Sequence, residues 1–503
     1  MKRVCACVFL CFLIPAATAH ASVTTRLRPT TTLSSSTPWS TVGASTSWEA
    51  LDDSVTPSDT PTSADYISAN VSHSEGKQTE IAGFSKITGL AGASGISATA
   101  WFYTPTTTSV ELLVRNSSHS VLSKVFTGSG WHSVSFPVAQ RLLELGQLSL
   151  RFNSGTTSGL RQIYAAFIEV NYQPASATTY WGADMDGDVR LLNEPPEEPG
   201  GDAPWDSRTW NEFEADAGAK KVSIVHFSQP PPWRHQFEPA PLEFTMNRGA
   251  IPLISMGTTG ATLSELAYSP ISSSASLQKF REWTDTVHDF GHPFFLRLDW
   301  EMNLISAEEF QWVNEARSSP STFVAAWRRL HAIAEEQEAT NITWVWCPNV
   351  SFPGSTSLKS LFPGRPYVDW TCMDGYNRDS ANWASFADVF STTYNEILAL
   401  TDSSSVPPMM IGETASVESG LTGKARWIAE ALGTEIPSLF PKLKAFLWFN
   451  WNIYDKTIEA RRDWPIESSS ASQESFANAI SSPFYAEGTF GSLPLLKPVQ
   501  PLP

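Results

Sequence analysis

Two different rhythms of apolar residues divide this chain. From residue 23 to residue 175, apolar and polar positions alternate in short runs, among them "ISATAWFYTP", "SVELLVRN", "GWHSVSFPV", "LSLRFNSG" and "IYAAFIEVNYQ", with turn residues between them at regular spacing. Alternation of period two, broken often by turns, predicts half-buried strands in an antiparallel β-sandwich. Residues 23–45 are rich in Ser and Thr and also read as a flexible linker. Leu27, Leu33, Trp39 and Trp48 offer side chains for burial and favour inclusion in the sandwich. Trp101, Phe102 and Trp131 read either as a platform or as core, and alternation favours core for at least two of them.

Past a short linker, "PASATTY", the rhythm changes. Eight short apolar runs follow: "TYWGADM", "KVSIVHF", "AIPLISMG", "FFLRLDWE", "ITWVWCPN", "VDWTCMDGYN", "PPMMIGETA" and "AFLWFNW". Helical spacing lies between several of them. Leu277, Phe280, Trp283, Val287 and Phe290 share one helical face, with Gly291 as a stop; Phe323, Trp327, Leu330 and Ala334 share another. Eight strands with helical crossovers over about 300 residues predict a (β/α)8 TIM barrel, an α/β fold. A doubly wound open sheet is the alternative, but the Gly-rich phosphate loop that usually follows its early strand is missing. The expected division is a leader at 1–21, a sandwich at 22–175, a barrel at 176–485 and a tail at 486–503. The tail, ending "LPLLKPVQPLP", reads as disordered or loosely packed.

Composition narrows the partners. The formal net charge is -17 and no Lys/Arg-rich run occurs. That argues against nucleic acid or an anionic membrane, since phosphate binding needs clustered cations. A neutral substrate tolerates it. The 20 Trp fit a chain that stacks flat sugar rings, or one that fills a large core. The leader has Lys2 and Arg3, an apolar stretch, and Ala19-His20-Ala21. This is the pattern of a secretory signal cut after Ala21, so a secreted, extracellular protein is expected. Cys5, Cys7 and Cys11 would leave with it. Cys347 and Cys372 remain, on adjacent predicted strands, and permit one disulfide or two buried thiols. No His/Cys spacing suggests a metal, and no cofactor is expected. A monomer is expected. Asn70, Asn116, Asn341 and Asn349 head N-x-[ST] sequons.

The candidate chemistry sits at the ends of the barrel strands, where such folds carry their sites. Glu301, in "RLDWEMN", ends the fourth predicted strand, and Glu413, in "MMIGETAS", ends the seventh. Strands four and seven face each other across a barrel mouth. Paired carboxylates suit glycosidic cleavage, one donating a proton and the other attacking the anomeric carbon. Trp300 and Trp346 offer an apolar shell that raises the acid's pKa. Arg297 and Tyr376 offer charge and a hydrogen bond that keep the nucleophile ionised. The bland alternative is a pair of rim salt-bridge formers. Asp299 should face away from Trp300 if the strand continues. Asp374 reads as a turn residue or a groove contact, and Glu308 and Glu309 as solvated.

From about residue 180 to 485 the chain resembles glycoside hydrolase family 26, the mannanase-type family of the retaining TIM-barrel clan. "SIVHFSQPP" is similar to that family's second strand, "RLDWEMN" to its acid/base segment, "WVWCPN" to its fifth strand, "FPGRPYVDWTCMDGYN" to its sixth, "IGETAS" to its nucleophile segment and "AFLWFNW" to its eighth. The resemblance implies Glu301 as acid/base and Glu413 as nucleophile, with Tyr376 bonded to the nucleophile. It implies Trp448 as the stacking platform and His226 in the groove; Asn349, next to the cleft, reads as a substrate-binding candidate by its position. The polysaccharide substrate it implies is β-mannan first. Mannan-cleaving members usually carry His before the acid/base Glu, where this chain has Trp300, and often Gly after Glu-Met-Asn, where it has Leu304. A Trp accepts no hydrogen bond from a sugar hydroxyl, so β-glucan or β-xylan competes. A carbohydrate-binding role for the sandwich follows by analogy with accessory modules. A non-catalytic glycan-binding barrel is the reading from another class. An esterase or protease lacks a G-x-S-x-G elbow.

Overall fold

The computed structural model describes residues 22–33, 39–51, 56–61, 65–71, 77–82, 84–87, 90, 92–115, 120–144, 146–187, 201–307, 310–401, 406–420, 422–455 and 459–503. The leader at 1–21, the Asn116 sequon, Glu308 and Glu309 lie outside them.

The first unit is the expected sandwich. Its strands are β1 (Val23–Leu27), β2 (Thr31–Leu33), β3 (Ser40–Val42), β4 (Tyr66–Val71), β5 (Gln78–Ala82), β6 (Ser94–Arg115), β7 (Ser120–Phe136), β8 (Ser149–Asn153), β9 (Gly159–Ile163) and β10 (Ala165–Gln173). Seven form one sheet, in the order β1-β10-β6-β8-β5-β2 with β7 on β6; β3-β4-β9 form the other. Every pair within these sheets is antiparallel. Alternation puts Phe102, Leu112, Phe152 and Ile168 from one sheet against Ile67, Ala69 and Ile163 from the other. Leu27 and Trp39 are buried in the same core, so the Ser/Thr-rich start belongs to the sandwich. Phe102 is core, as its parity requires. Trp101 and Trp131 are not: they meet edge-on at 6.5 Å on the outer face, beside Phe167 and Tyr103.

The second unit is a closed barrel of eight parallel strands, which excludes the open sheet. They are β11 (Tyr180–Met185), β12 (Ile224–Ser228), β13 (Ile251–Met256), β14 (Phe294–Leu298), β15 (Ile342–Trp346), β16 (Trp370–Asp374), β17 (Met409–Thr414) and β18 (Leu443–Asn450). Each is buried on both faces, which is why the sequence shows continuous apolar runs there rather than alternation. Parity still decides direction. In β14, Phe295 packs inside the barrel, while Phe294, Leu296 and Leu298 pack outward on the helices. The helix Ala275–Phe290 starts with the Ser274 hydroxyl accepting from the Leu277 N–H at 3.1 Å. It buries Leu277, Phe280, Trp283 and Val287, and ends at Gly291 with φ 71°, a conformation that a Cβ disfavours.

The tail contradicts the expectation of disorder. Residues 486–503 run across the N-terminal end of the barrel. Phe490 N donates to Gly249 O at 2.7 Å, Leu496 N to Gly291 O at 2.8 Å and Val499 N to Thr343 Oγ1 at 2.8 Å. Trp370 Nε1 and Tyr180 OH, pointing down from inside the barrel, donate to Val499 O and Gln500 O at 3.0 and 2.9 Å. Val499 is buried with Phe295, Tyr180 and Trp370, and Phe490, Leu493 and Leu502 pack against the same cluster. Pro and Leu in "LPLLKPVQPLP" mark a plug without secondary structure of its own. A chain ending at Tyr485 is expected to lose roughly 3–6 kcal/mol, from several uncovered apolar side chains, read as a lower urea midpoint. An unchanged midpoint counts against the plug.

Candidate active site

The fourth barrel strand stops earlier than the sequence implies. β14 ends at Leu298, and Glu301 lies three residues on, in a turn. Asp299 and Glu301 both take left-handed backbone, φ 44° and 54°. Such conformations are costly for residues with a Cβ and persist where surrounding bonds impose them. Those bonds are present. The Asp299 carboxylate accepts from Thr258 N at 2.7 Å and Thr258 Oγ1 at 3.0 Å. Glu301 N donates to Cys347 O at 2.8 Å. The strand stops at Leu298, so the condition under which Asp299 would face away from Trp300 by strand alternation is not met. Burial pushes the Asp299 carboxyl up to about 7.

The Glu301 carboxylate accepts from Asn349 Nδ2. Asn349 is fixed in turn by Asn303: Asn349 N donates to Asn303 Oδ1 at 2.8 Å, and Asn303 Nδ2 to Asn349 O at 2.9 Å. Trp300 is half-buried, its ring centroid 4.8 Å from Trp312 and 5.0 Å from Phe310, with the Arg297 guanidinium 5.5 Å over it. It packs the turn that carries Glu301.

Glu413 comes from β17. Its carboxylate accepts from Arg297 Nη1 at 2.7 Å and, on its other oxygen, from the Tyr376 hydroxyl. Arg297 is fully buried and also pairs with Asp374 on β16. A third donation from Arg297, 3.1 Å to Ser255 Oγ, opens a chain of bonds around the barrel. Ser255 Oγ lies 2.7 Å from His226 Nε2, His226 Nδ1 lies 2.7 Å from Asp184 Oδ2, and Trp451 Nε1 donates to Asp184 Oδ1 at 2.9 Å. Strands β11 to β14, β16 and β17 thus each place at least one polar side chain in one network. Beneath it, Cys347 and Cys372 are joined in a disulfide, with Cα atoms 4.2 Å apart. Gly412 makes room for this: a Cβ there would fall 2.5 Å from Cys372 Sγ and 2.7 Å from Asp374 Oδ1.

One guanidinium here faces three carboxyl groups, so their proton affinities separate. Glu301 is raised, first by burial and then by the charge of Glu413. Glu413 is lowered. Burial alone would raise it, but the Arg297 charge, His226 and the Tyr376 bond together outweigh that. Asp374 is raised well above the usual range by burial, despite Arg297. Burial also holds the Tyr376 hydroxyl protonated, so it stays a donor. Two carboxyl groups in one mouth, one favouring its proton and one shedding it, form a pair that could act as an acid and a nucleophile or base.

Two of the expected site residues, Trp448 and Trp346, do not stand where the sequence reading put them. Trp448 is fully buried on the outer side of β18, its Nε1 donating to Trp464 O at 3.0 Å and its ring against Phe476 and Trp427. It is no platform: its neighbours Ala445 and Leu447 set the inward parity, and Trp448 has the other. Trp346 also faces outward, donating to Leu361 O at 3.2 Å, and so does not line the acid's pocket. His226 and Arg297 are inside the mouth but 3% and 0% exposed, so they support the carboxylates' surroundings from beneath. Sequence reading passed over Asp184, Ser255, Asn303 and Trp464. The first two hold inward parity near strand ends, a signal that was available. Trp464, stacked 4.6 Å from Tyr376 with 17° between the rings, arrives from a loop that no periodicity marks.

A closed (β/α)8 barrel with an acidic pair at its C-terminal mouth is an arrangement suited to glycosidic cleavage. Residues 263–418, which hold Arg297, Glu301, Asn349, Asp374, Tyr376 and Glu413, match the sequence model for glycosyl hydrolase family 26. Over 167 residues, 32% of this chain, the sequence is 35% identical to Endoglucanase H of Acetivibrio thermocellus; the match spans 17% of that protein. Solved structures similar to the chain include the Bacillus subtilis mannanase BCman, with a TM-score of 0.40 and 16% identity over 62% of this chain and 88% of that one. A family 26 β-mannanase from Bacteroides ovatus gives 0.41 and 15% over 62% and 90%.

Proposed function

We propose that the protein is a secreted endo-acting glycosidase that hydrolyses a β-linked polysaccharide, β-1,4-mannan first, by double displacement with retention. The observation that carries this reading is the placement of two carboxyl groups in one barrel mouth, Glu413 held by Arg297 and Tyr376 and Glu301 by Asn349. Glu413, ionised between Arg297 and Tyr376, attacks the anomeric carbon and forms a glycosyl ester. Glu301 gives its proton to the departing glycosidic oxygen. It then takes a proton from the water that cleaves the ester, so the anomeric configuration inverts twice. The second reading is a β-glucan substrate. Two observations favour it: the 35% identity to a protein named as an endoglucanase, and an apolar Trp300 beside the acid.

The test is hydrolysis of soluble β-mannan, mixed-linkage β-glucan and xylan, with reducing ends counted and the first product's anomer read by NMR. The expected result is release from one β-linked substrate with the β-anomer appearing first. An α-anomer at early times overturns double displacement. No release from any of the three overturns the enzyme reading.

A further inference from the structure

Behind the mouth, on the helical side of β18, the barrel buries a lysine that the chemistry above does not use. Lys424 lies in the helix Gly423–Glu430, which follows the Glu413 strand, and is 0% exposed. Burying an ammonium group is costly unless every proton finds an acceptor. Here all three do: Nζ donates to Asp463 O at 2.5 Å, Pro465 O at 2.6 Å and Ser468 Oγ at 2.8 Å. These acceptors bracket one short stretch, Asp463 to Ser468, and the residue between the first two is Trp464.

Trp464 is the stacked partner of Tyr376, and its own carbonyl is held by Trp448 Nε1 at 3.0 Å. Tyr376 in turn donates to Glu413. Arg378 lies 4.7 Å over the same tyrosine ring and 6.0 Å over the Trp464 ring. The lysine therefore ties the loop after the eighth strand to the helix after the seventh. The tied loop presses a flat ring on the tyrosine that sets the nucleophile. This also explains the buried Trp448: it is a second anchor for the loop.

We propose that Lys424 is a positioning residue for the hydrolytic reaction, acting through Trp464 and Tyr376 to hold the Tyr376 hydroxyl on Glu413. The inference rests on the reading of Glu413 as nucleophile. The carboxylates around Lys424 are Glu418, Asp463 and Glu467, and none of them reaches Glu413 directly; Glu418 is occupied by Ser468, Ser469 and Ser472 at 2.7 to 2.8 Å. Around Glu413 stand Arg297, His226, Tyr376, Glu301 and Asp374. Of these, the Tyr376 bond is the one the loop controls.

The experiment compares Lys424→Met, Tyr376→Phe and the double variant with the unaltered protein, on whichever polysaccharide it cleaves. Melting temperature confirms that the assayed protein is folded. Lys424→Met is expected to lower kcat about tenfold with little change in KM. It should also move the acid limb of kcat/KM upward by about 0.5 to 1 pH unit, because a loosened hydroxyl no longer stabilises the Glu413 anion. Tyr376→Phe should move the limb the same way, and the double variant no further than Tyr376→Phe alone. Lys424→Arg, which keeps the charge and donors, should recover part of kcat. A folded Lys424→Met with unaltered kcat and acid limb overturns the proposal, as does full additivity with Tyr376→Phe. If Lys424→Met does not fold, Ser468→Ala, which removes one acceptor, must shift the limb in the same direction or the proposal falls. A Glu413→Ala protein that stays active overturns the underlying reading instead, which keeps the two failures apart.

Discussion

Replacing Glu413 by Ala is expected to lower polysaccharide hydrolysis by about 10⁴-fold or more, while leaving the protein folded and able to bind its substrate. The size follows from what the side chain does. In double displacement the nucleophile forms a bond, so no neighbour substitutes for it, and loss of such a residue leaves only the contribution of binding and positioning. The structure sharpens this. Asp374 is the other carboxyl on Arg297, but it is 0% exposed, holds its proton well above the usual range, and is locked to the guanidinium. It has no path to an anomeric carbon. Stability responds differently. Removing Glu413 also removes a negative charge that helps to hold Asp374 protonated, so Asp374, still bonded to Arg297, can ionise as its counter-ion and the fold keeps most of its stability. Initial rates by reducing-end release, with a thermal melt on the same sample, check both halves. Residual activity within about tenfold of the unaltered protein, by comparison with the usual cost of losing a nucleophile, removes Glu413 from the role.

Much of this site was legible in the chain, for reasons that also explain the misses. Barrel strands announce themselves because both faces are buried, so "FFLRL" and "LKAFLWFN" read as apolar runs. Acidic residues just beyond them stand out as groups a buried strand would not carry. That logic points to Glu301 and Glu413, and Tyr376 and Arg297 follow as the groups whose hydrogen bond and charge could keep a nucleophile ionised. It failed where direction mattered. Trp346 reads as part of the mouth because it is aromatic and close in sequence to it, and Trp448 through the family resemblance, yet each sits at outward parity. Parity was readable, from Leu447 and Cys347 as inward neighbours, and should outrank residue type. The turn at Asp299–Glu301 is not readable: no Gly or Pro marks it, and left-handed backbone at two acidic residues is held by Thr258 and Cys347, which lie just beyond β13 and β15. The tail misled by composition, since Pro-rich segments without periodicity look alike whether they float or plug a barrel.

Glu301→Gln is the second substitution with a large expected effect, and its signature is in the pH dependence. Activity needs Glu413 ionised and Glu301 protonated in the first step. Glu413 is lowered, so activity is lost as pH falls through its depressed pKa. Glu301 is raised, so activity persists above the ordinary glutamate range and is lost as pH rises through its raised pKa. The unaltered protein should therefore give a bell whose basic limb belongs to Glu301. The amide in Glu301→Gln keeps the bond with Asn349 but has no proton to give and no charge to accept one. Hydrolysis of the polysaccharide should fall about 10²–10⁴-fold, the usual worth of a positioned acid or base. An aryl glycoside with a good leaving group needs little protonation, so its first step should survive. The glycosyl ester would then accumulate, because water still lacks its base. A burst of phenol followed by slow turnover is the expected trace. Its basic limb should be missing, because the group that titrated there is gone. A basic limb that stays in place in Glu301→Gln assigns that proton to another group, Asp374 first, and takes the acid's role away from Glu301.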